Sequence, residues 1–127
     1  MKYIVNSIPH DRQRYETVGD WIECRGHLRH VRVSEMDNED YAFLVGIHEQ
    51  IEAWLCIKRG ISQESVDKFD IAFEQHRDLG DENEPGDDPA APYRCEHQFA
   101  TKVERMLATE LGIDWDIYDH TVMGLSK

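Results

Sequence analysis

The stretch YAFLVGIHEQIEAWLCIK, residues 41–58, decides how the rest of the chain is read. Its apolar residues are too dense for one narrow stripe, so as a helix it buries most of its perimeter and exposes only a thin strip. At about 100° per residue the apolar face centres on Leu44, Ile51 and Leu55. His48 sits at the edge of that face, Glu52 one turn further along beside it, and Glu49 farther round. A carboxylate beside an apolar face needs a partner or a cation. A His and a Glu at i and i+4 converge on one side of a helix, which is half of a metal site.

Outward from this helix the boundaries are legible. Asp37-Asn38 supplies a cap, Glu39 and Asp40 suit the positive end of the helix dipole, and Gly60 ends the helix after Lys58 and Arg59. Upstream, residues 2–8 (KYIVNSI) are β-branched and stop at Pro9. Residues 20–24 and 27–34 flank Arg25-Gly26, the mark of a tight hairpin, and Val31 and Val33 alternate with Arg32. Downstream, Ser62 opens a second helix with Val66, Phe69 and Phe73 on one face. Residues 78–88 hold six acids with a proline and two glycines and are expected as a solvated loop. Asp88-Pro89 is expected to start a third helix that Gly112 ends. The expected fold class is α+β: a small N-terminal antiparallel sheet followed by three helices. It forms one domain, β-rich over 1–35, helical over 37–112, with a tail over 113–127.

Composition narrows the function classes. In 127 residues there are 26 Asp plus Glu and 14 Lys plus Arg, a net charge of −12, and 40% are hydrophobic. That is one domain with room for a core. Phosphate neutralisation and anionic membranes both call for clustered Lys and Arg, so neither nucleic acid nor a membrane surface is expected as partner. Cys24, Cys56 and Cys95 are odd in number and widely spaced, which is no disulfide framework. With no leader pattern and no long apolar run, the expectation is a soluble cytoplasmic protein whose substrate is a small molecule or a peptide.

A second half-site lies after residue 88. Phe99, Ala100, Val103, Met106, Leu107 and Leu111 form the apolar stripe, with His97 and Glu104 at its margin, seven residues apart. Ala100, Thr101 and Ala108 keep that face small enough for another helix to approach closely. Taken singly, His97 reads as a hydrogen-bonded core histidine, and Glu104 as a partner for Lys102, Arg105 or Arg94. Taken with His48 and Glu52, they complete a set of three or four ligands for a divalent ion.

His48-Glu49-Gln50-Ile51-Glu52 resembles the H-E-x-x-H helix of zincin-type metallopeptidases, with Glu in place of the second His. The resemblance covers about residues 20–60. It implies a zincin-like core, His48 and Glu52 as metal ligands and Glu49 as the base that activates a metal-bound water. His97 or Glu104 is the candidate for the remaining ligand, though no family motif fixes either. Zinc is the expected ion, and the exchange to Glu52 shifts preference toward manganese or iron. The function so implied is a metal-dependent hydrolase or a metal-binding relative of one. Residues 84–93 together with this helix also look like a small family of bacterial and phage proteins of unassigned function, which supplies no role.

Two rivals stand beside it. Glu49-x-x-Glu52 followed by Asp67-x-x-Asp70 is similar to the acidic pairs with which all-α nucleotide pyrophosphohydrolases hold magnesium. The β-rich start is foreign to that fold, and Asp67 and Asp70 fall on the polar side away from Phe69 and Phe73. The other rival is a non-enzymatic module whose acidic surface meets a basic partner; it calls for His48 and Glu52 paired with arginines in a dry core. E-x-x-H, G-x-S-x-G, P-loop and dinucleotide-binding patterns are absent.

Overall fold

The computed structural model describes residues 2–125. Three strands come first: β1 (Ile4–Ile8), β2 (Gly19–Cys24) and β3 (His27–Ser34). Four helices follow: α1 (Glu39–Lys58), α2 (Gln63–Gln75), α3 (Arg94–Glu110) and α4 (Trp115–Leu125). The α+β class is therefore as the sequence predicts.

The sheet order is β1-β3-β2. β2 and β3 form the expected antiparallel hairpin, turned by Arg25 and Gly26 at φ 54° and 80°. β1 differs from expectation, since it pairs with β3 in parallel, Val5 opposite Val31 and Ser7 opposite Val33. The physical reason is the connection: residues 9–18 are long enough to carry the chain past the central position to the far edge before the hairpin returns. That connection is a strap held by charge. The Arg14 guanidinium donates to both Asp20 oxygens, at 2.7 and 2.9 Å, and to Asp67 of α2 at 2.9 Å. Arg14 is thereby committed to the fold.

α1 lies between the sheet and α3, which is why its sequence is apolar on nearly every side. Asn38 caps it, accepting from the Asp40 and Tyr41 amides. The sheet packs against α1 at Gly46, where a Cβ would meet Val33 at 3.6 Å, an ordinary contact distance. The buried residues are Leu44, Val45, Gly46, His48, Glu52, Ala53 and Cys56. Ile51 and Leu55 are only half-buried, so His48 and Glu52 occupy the centre of the buried face and not its margin. Hydropathy assigns charged groups to an edge by default, and pairing between them is what puts them inside. On α3 the close approach runs through Ala100 and Ala108, both fully buried.

Two boundaries moved. α3 begins at Arg94, since Pro92 biases its predecessor away from helical backbone and Asp88 instead caps a tight turn through the Ala90 amide. Residues 113–125 are more than a tail. Gly112, at φ 70°, closes α3, and Asp114 accepts from the Ile117 amide to start α4.

Candidate metal centre

The cluster is built from the two helices the sequence singled out. His48 and Glu52 project from α1 one turn apart, and His97 projects from the first turn of α3. Their inward atoms form a nearly equilateral triangle. His48 Nε2 is 3.0 Å from Glu52 Oε2 and 3.1 Å from His97 Nδ1, and His97 Nδ1 is 3.0 Å from Glu52 Oε2. All three side chains are at least nine-tenths buried.

Each histidine turns its other nitrogen outward onto carboxylate. His48 Nδ1 donates to Glu104 Oε1 at 2.7 Å, and the Tyr118 hydroxyl donates to the second Glu104 oxygen. His97 Nε2 has Glu84 Oε2 at 2.8 Å and Asp87 Oδ1 at 3.4 Å, both off the N–H axis, so this buried nitrogen makes no well-formed hydrogen bond. Gly86 makes room for the ring, because a Cβ there would stand 2.3 Å from His97 Cγ. With protons on these outer nitrogens, the inner ones present lone pairs to each other and to a carboxylate oxygen. Three acceptors at 3 Å repel unless a cation or protons lie between them.

The triangle has the dimensions of a coordination face. A point ~2.05 Å from three atoms held about 3.0 Å apart lies ~1 Å above their plane, with bond lengths in the usual range for imidazole and carboxylate on a divalent ion. The cluster can hold a metal ion. Without one, protons fill the space. Burial lowers the histidine pKa values, but Glu104 and Glu52 outweigh it at His48, and Asp87, Glu52 and Glu84 at His97, so both are raised. Burial likewise lifts Glu52, and the two histidines override it to hold its carboxyl at about 2.

Glu49 faces another way, toward β2, on the same helix. Gly19 provides its seat, for a Cβ there would stand 2.6 Å from Oε1. Its carboxylate takes no hydrogen bond from the described residues, and burial, followed by repulsion from Glu52, raises its pKa well above the usual value. The triangle and Glu49 open onto one cavity of about 90 Å³, lined also by Tyr15, Asp70, Tyr93, Tyr118, Val122 and Met123.

Thus His48, Glu52 and His97 meet as one set, Glu104 lies behind His48 off the triangle, and Glu49 shares the cavity. Sequence reasoning missed Glu84, which it placed in a solvating loop. It also missed Tyr118, placed in a tail, and it set Asp67 and Asp70 together on the polar side, whereas Asp70 reaches the cavity and Asp67 turns away to Arg14. The one available signal was Pro85-Gly86 inside the acidic run, a buried small residue where solvation alone would need none. No arginine contacts His48 or Glu52 among the described residues. No described helix is long and apolar enough to cross a membrane. No family model, curated protein or solved structure matches the chain.

Proposed function

We propose that the protein is a metal-dependent hydrolase, with zinc as the resident ion held by His48, Glu52 and His97. The observation that carries this is the triangle: two imidazole nitrogens and one carboxylate oxygen converge within 3.1 Å of one another, each imidazole backed by carboxylate. Two His and one Glu is the donor set of catalytic zinc sites that keep a position open for water or substrate. The same set suits ferrous iron, which makes metal identity part of the test. The ion supplies Lewis acidity toward a carbonyl or a water oxygen.

The chain's own residues do the rest. Glu104 holds the Nδ1 proton of His48, which fixes the ring and leaves Nε2 for the ion; Tyr118 fixes Glu104 in turn. At His97, Glu84 and Asp87 stand 2.8 and 3.4 Å from Nε2 and act on the ring by charge, without a well-formed hydrogen bond. Glu104 thus acts through His48 and not as a ligand. Glu49 accepts a proton from the attacking water at a carboxylate oxygen that burial has made more basic than usual, and it returns that proton to the leaving group. The magnesium-triphosphate reading draws less support, since Asp67 is closed by Arg14 and, among the described residues, no Lys or Arg lines the cavity to meet phosphate.

Elemental analysis of protein purified without a metal-affinity tag is the test. One transition-metal ion per chain is expected in the wild type and in Glu49→Gln, and none in His48→Ala. Wild-type protein that takes up no stoichiometric metal on zinc titration, with Glu52→Gln as stable as the wild type, overturns the reading. In a screen of amides and esters the loaded wild type should turn over a substrate that Glu49→Gln hydrolyses about 10²–10⁴-fold more slowly.

A further inference from the structure

Most carboxylates around the cavity have a basic partner. Asp20 has Arg14 at 2.7 Å, Glu74 has Arg77 at 2.8 Å and Glu16 has His10 at 3.1 Å. Glu52, Glu84 and Glu104 face the two central histidines. Glu49, Asp70 and Asp119 also line the cavity and meet no basic side chain among the described residues. No Lys or Arg among the described residues lines it. A divalent ion at the triangle adds two positive charges, and with both histidines neutral Glu52, Glu84 and Glu104 already outweigh them, before the three unpaired acids are counted.

Asp70 is the one of these three that is oriented. The Tyr15 hydroxyl donates to Oδ2 at 3.2 Å and the Tyr93 hydroxyl donates to Oδ1. Both donors are neutral, and each Asp70 oxygen keeps a further acceptor site. Tyr93 also sets its ring edge-on to His97, with centroids 6.1 Å apart, so one tyrosine bridges Asp70 and the triangle. Burial raises the Asp70 carboxyl to about 7, as expected for an acid lacking the cation that would keep it ionised. The cavity is too small for an extended chain. The β2 edge beside it is also occupied: Gln63 donates to the Trp21 carbonyl at 3.0 Å and accepts from the Glu23 amide at 2.8 Å. A peptide strand cannot add there.

We propose that the substrate is a small molecule with a cationic ammonium or guanidinium head seated on Asp70 and an uncharged carbonyl turned toward the His48–Glu52–His97 triangle. The carbonyl end rests on the hydrolase reading; the cationic end does not need the metal. Anionic acyl compounds are rejected by the same unpaired acids.

Three matched probes test this: β-alaninamide (cationic), butyramide (neutral) and succinamate (anionic), each with one primary amide on a short chain. Binding is followed by NMR titration of zinc-loaded and of chelator-treated protein. In both forms β-alaninamide should bind about tenfold more tightly than butyramide, with succinamate weakest in the chelated form. Asp70→Asn should abolish the cationic preference while metal content stays that of the wild type. Equal binding of β-alaninamide and butyramide in both forms overturns the inference, as does an unchanged preference in Asp70→Asn. Should the preference survive in protein that takes up no metal, the inference stands and the hydrolase reading alone falls.

Discussion

Two ionic clusters, one joining the 9–18 strap to β2 and α2 and the other joining α1 to α3, are closed in opposite ways. In the strap, Arg14 lays a planar fork across Asp20 and Asp67 and donates one hydrogen bond to each of their four carboxylate oxygens. That cluster is complete as a fold element. In the other, two histidines and Glu52 turn acceptor atoms toward one centre; Glu104 holds the outer nitrogen of His48, and Glu84 and Asp87 stand as charges beside that of His97. Histidine can give up its inner proton near neutral pH and arginine cannot. A buried acid closed by arginine is therefore structural, and a buried acid closed by histidines can exchange its protons for a metal.

The contrast can be broken at several points, beginning with the largest effect. His48→Ala should lower zinc affinity at least about 10³-fold by equilibrium dialysis, whereas Arg14→Met should leave it unchanged. An equal loss in both variants would mean that the clusters are not separable. Arg14→Met should instead cost about 2–3 kcal/mol in urea unfolding: Asp20 is 3% exposed and loses its partner, while the third-exposed Arg14 side chain tempers the loss. Full stability in that variant would remove the strap's structural role. Glu104→Gln keeps the shape but weakens the hold on His48 Nδ1, and should reduce zinc affinity by about 10–100-fold. No change there would leave Glu104 as mere packing.

The smallest effect is a pH dependence. Asp70 has its carboxyl raised to about 7, so the folded state holds a proton there that the unfolded chain releases near its ordinary value. Its contribution is thus a cost absent below pH ~4 that grows as pH rises toward 7. In metal-free protein, Asp70→Asn should raise Tm at pH 8 by about 3–5 °C and leave it nearly unchanged at pH 4. A variant that shifts both equally contradicts the assignment.

How much of this was legible depends on whether the signal was local. The helix at 41–58 carried its own evidence, because a segment apolar on all sides has to be sandwiched, and caps marked both ends. The hairpin was as clear, from Arg25-Gly26. The pairing of β1 was not, because parallel or antiparallel is decided by the path of residues 9–18, whose composition says only that they are polar. His48, Glu52, His97 and Glu104 were visible as ligand types bordering apolar faces. Their roles were not: which nitrogen of His48 meets which carboxylate is set by the crossing of α1 and α3, which periodicity does not encode. The inward turn of Glu84 and of Asp70 was hidden for one reason. Each lies in a segment whose average character is polar, and a single inward carboxylate does not alter an average.

The amide of Gln63 has an effect that reaches past this one chain. By imitating a neighbouring strand at Trp21 and Glu23, it ends the sheet on the side nearest the cavity. β1, at the other margin, pairs with no further strand among the described residues, and its Ile4 and Val5 are exposed. Lateral growth of the sheet can therefore proceed in one direction only. Copies recruited through strand pairing would stack on the side remote from Gly19 and leave the mouth of the cavity clear.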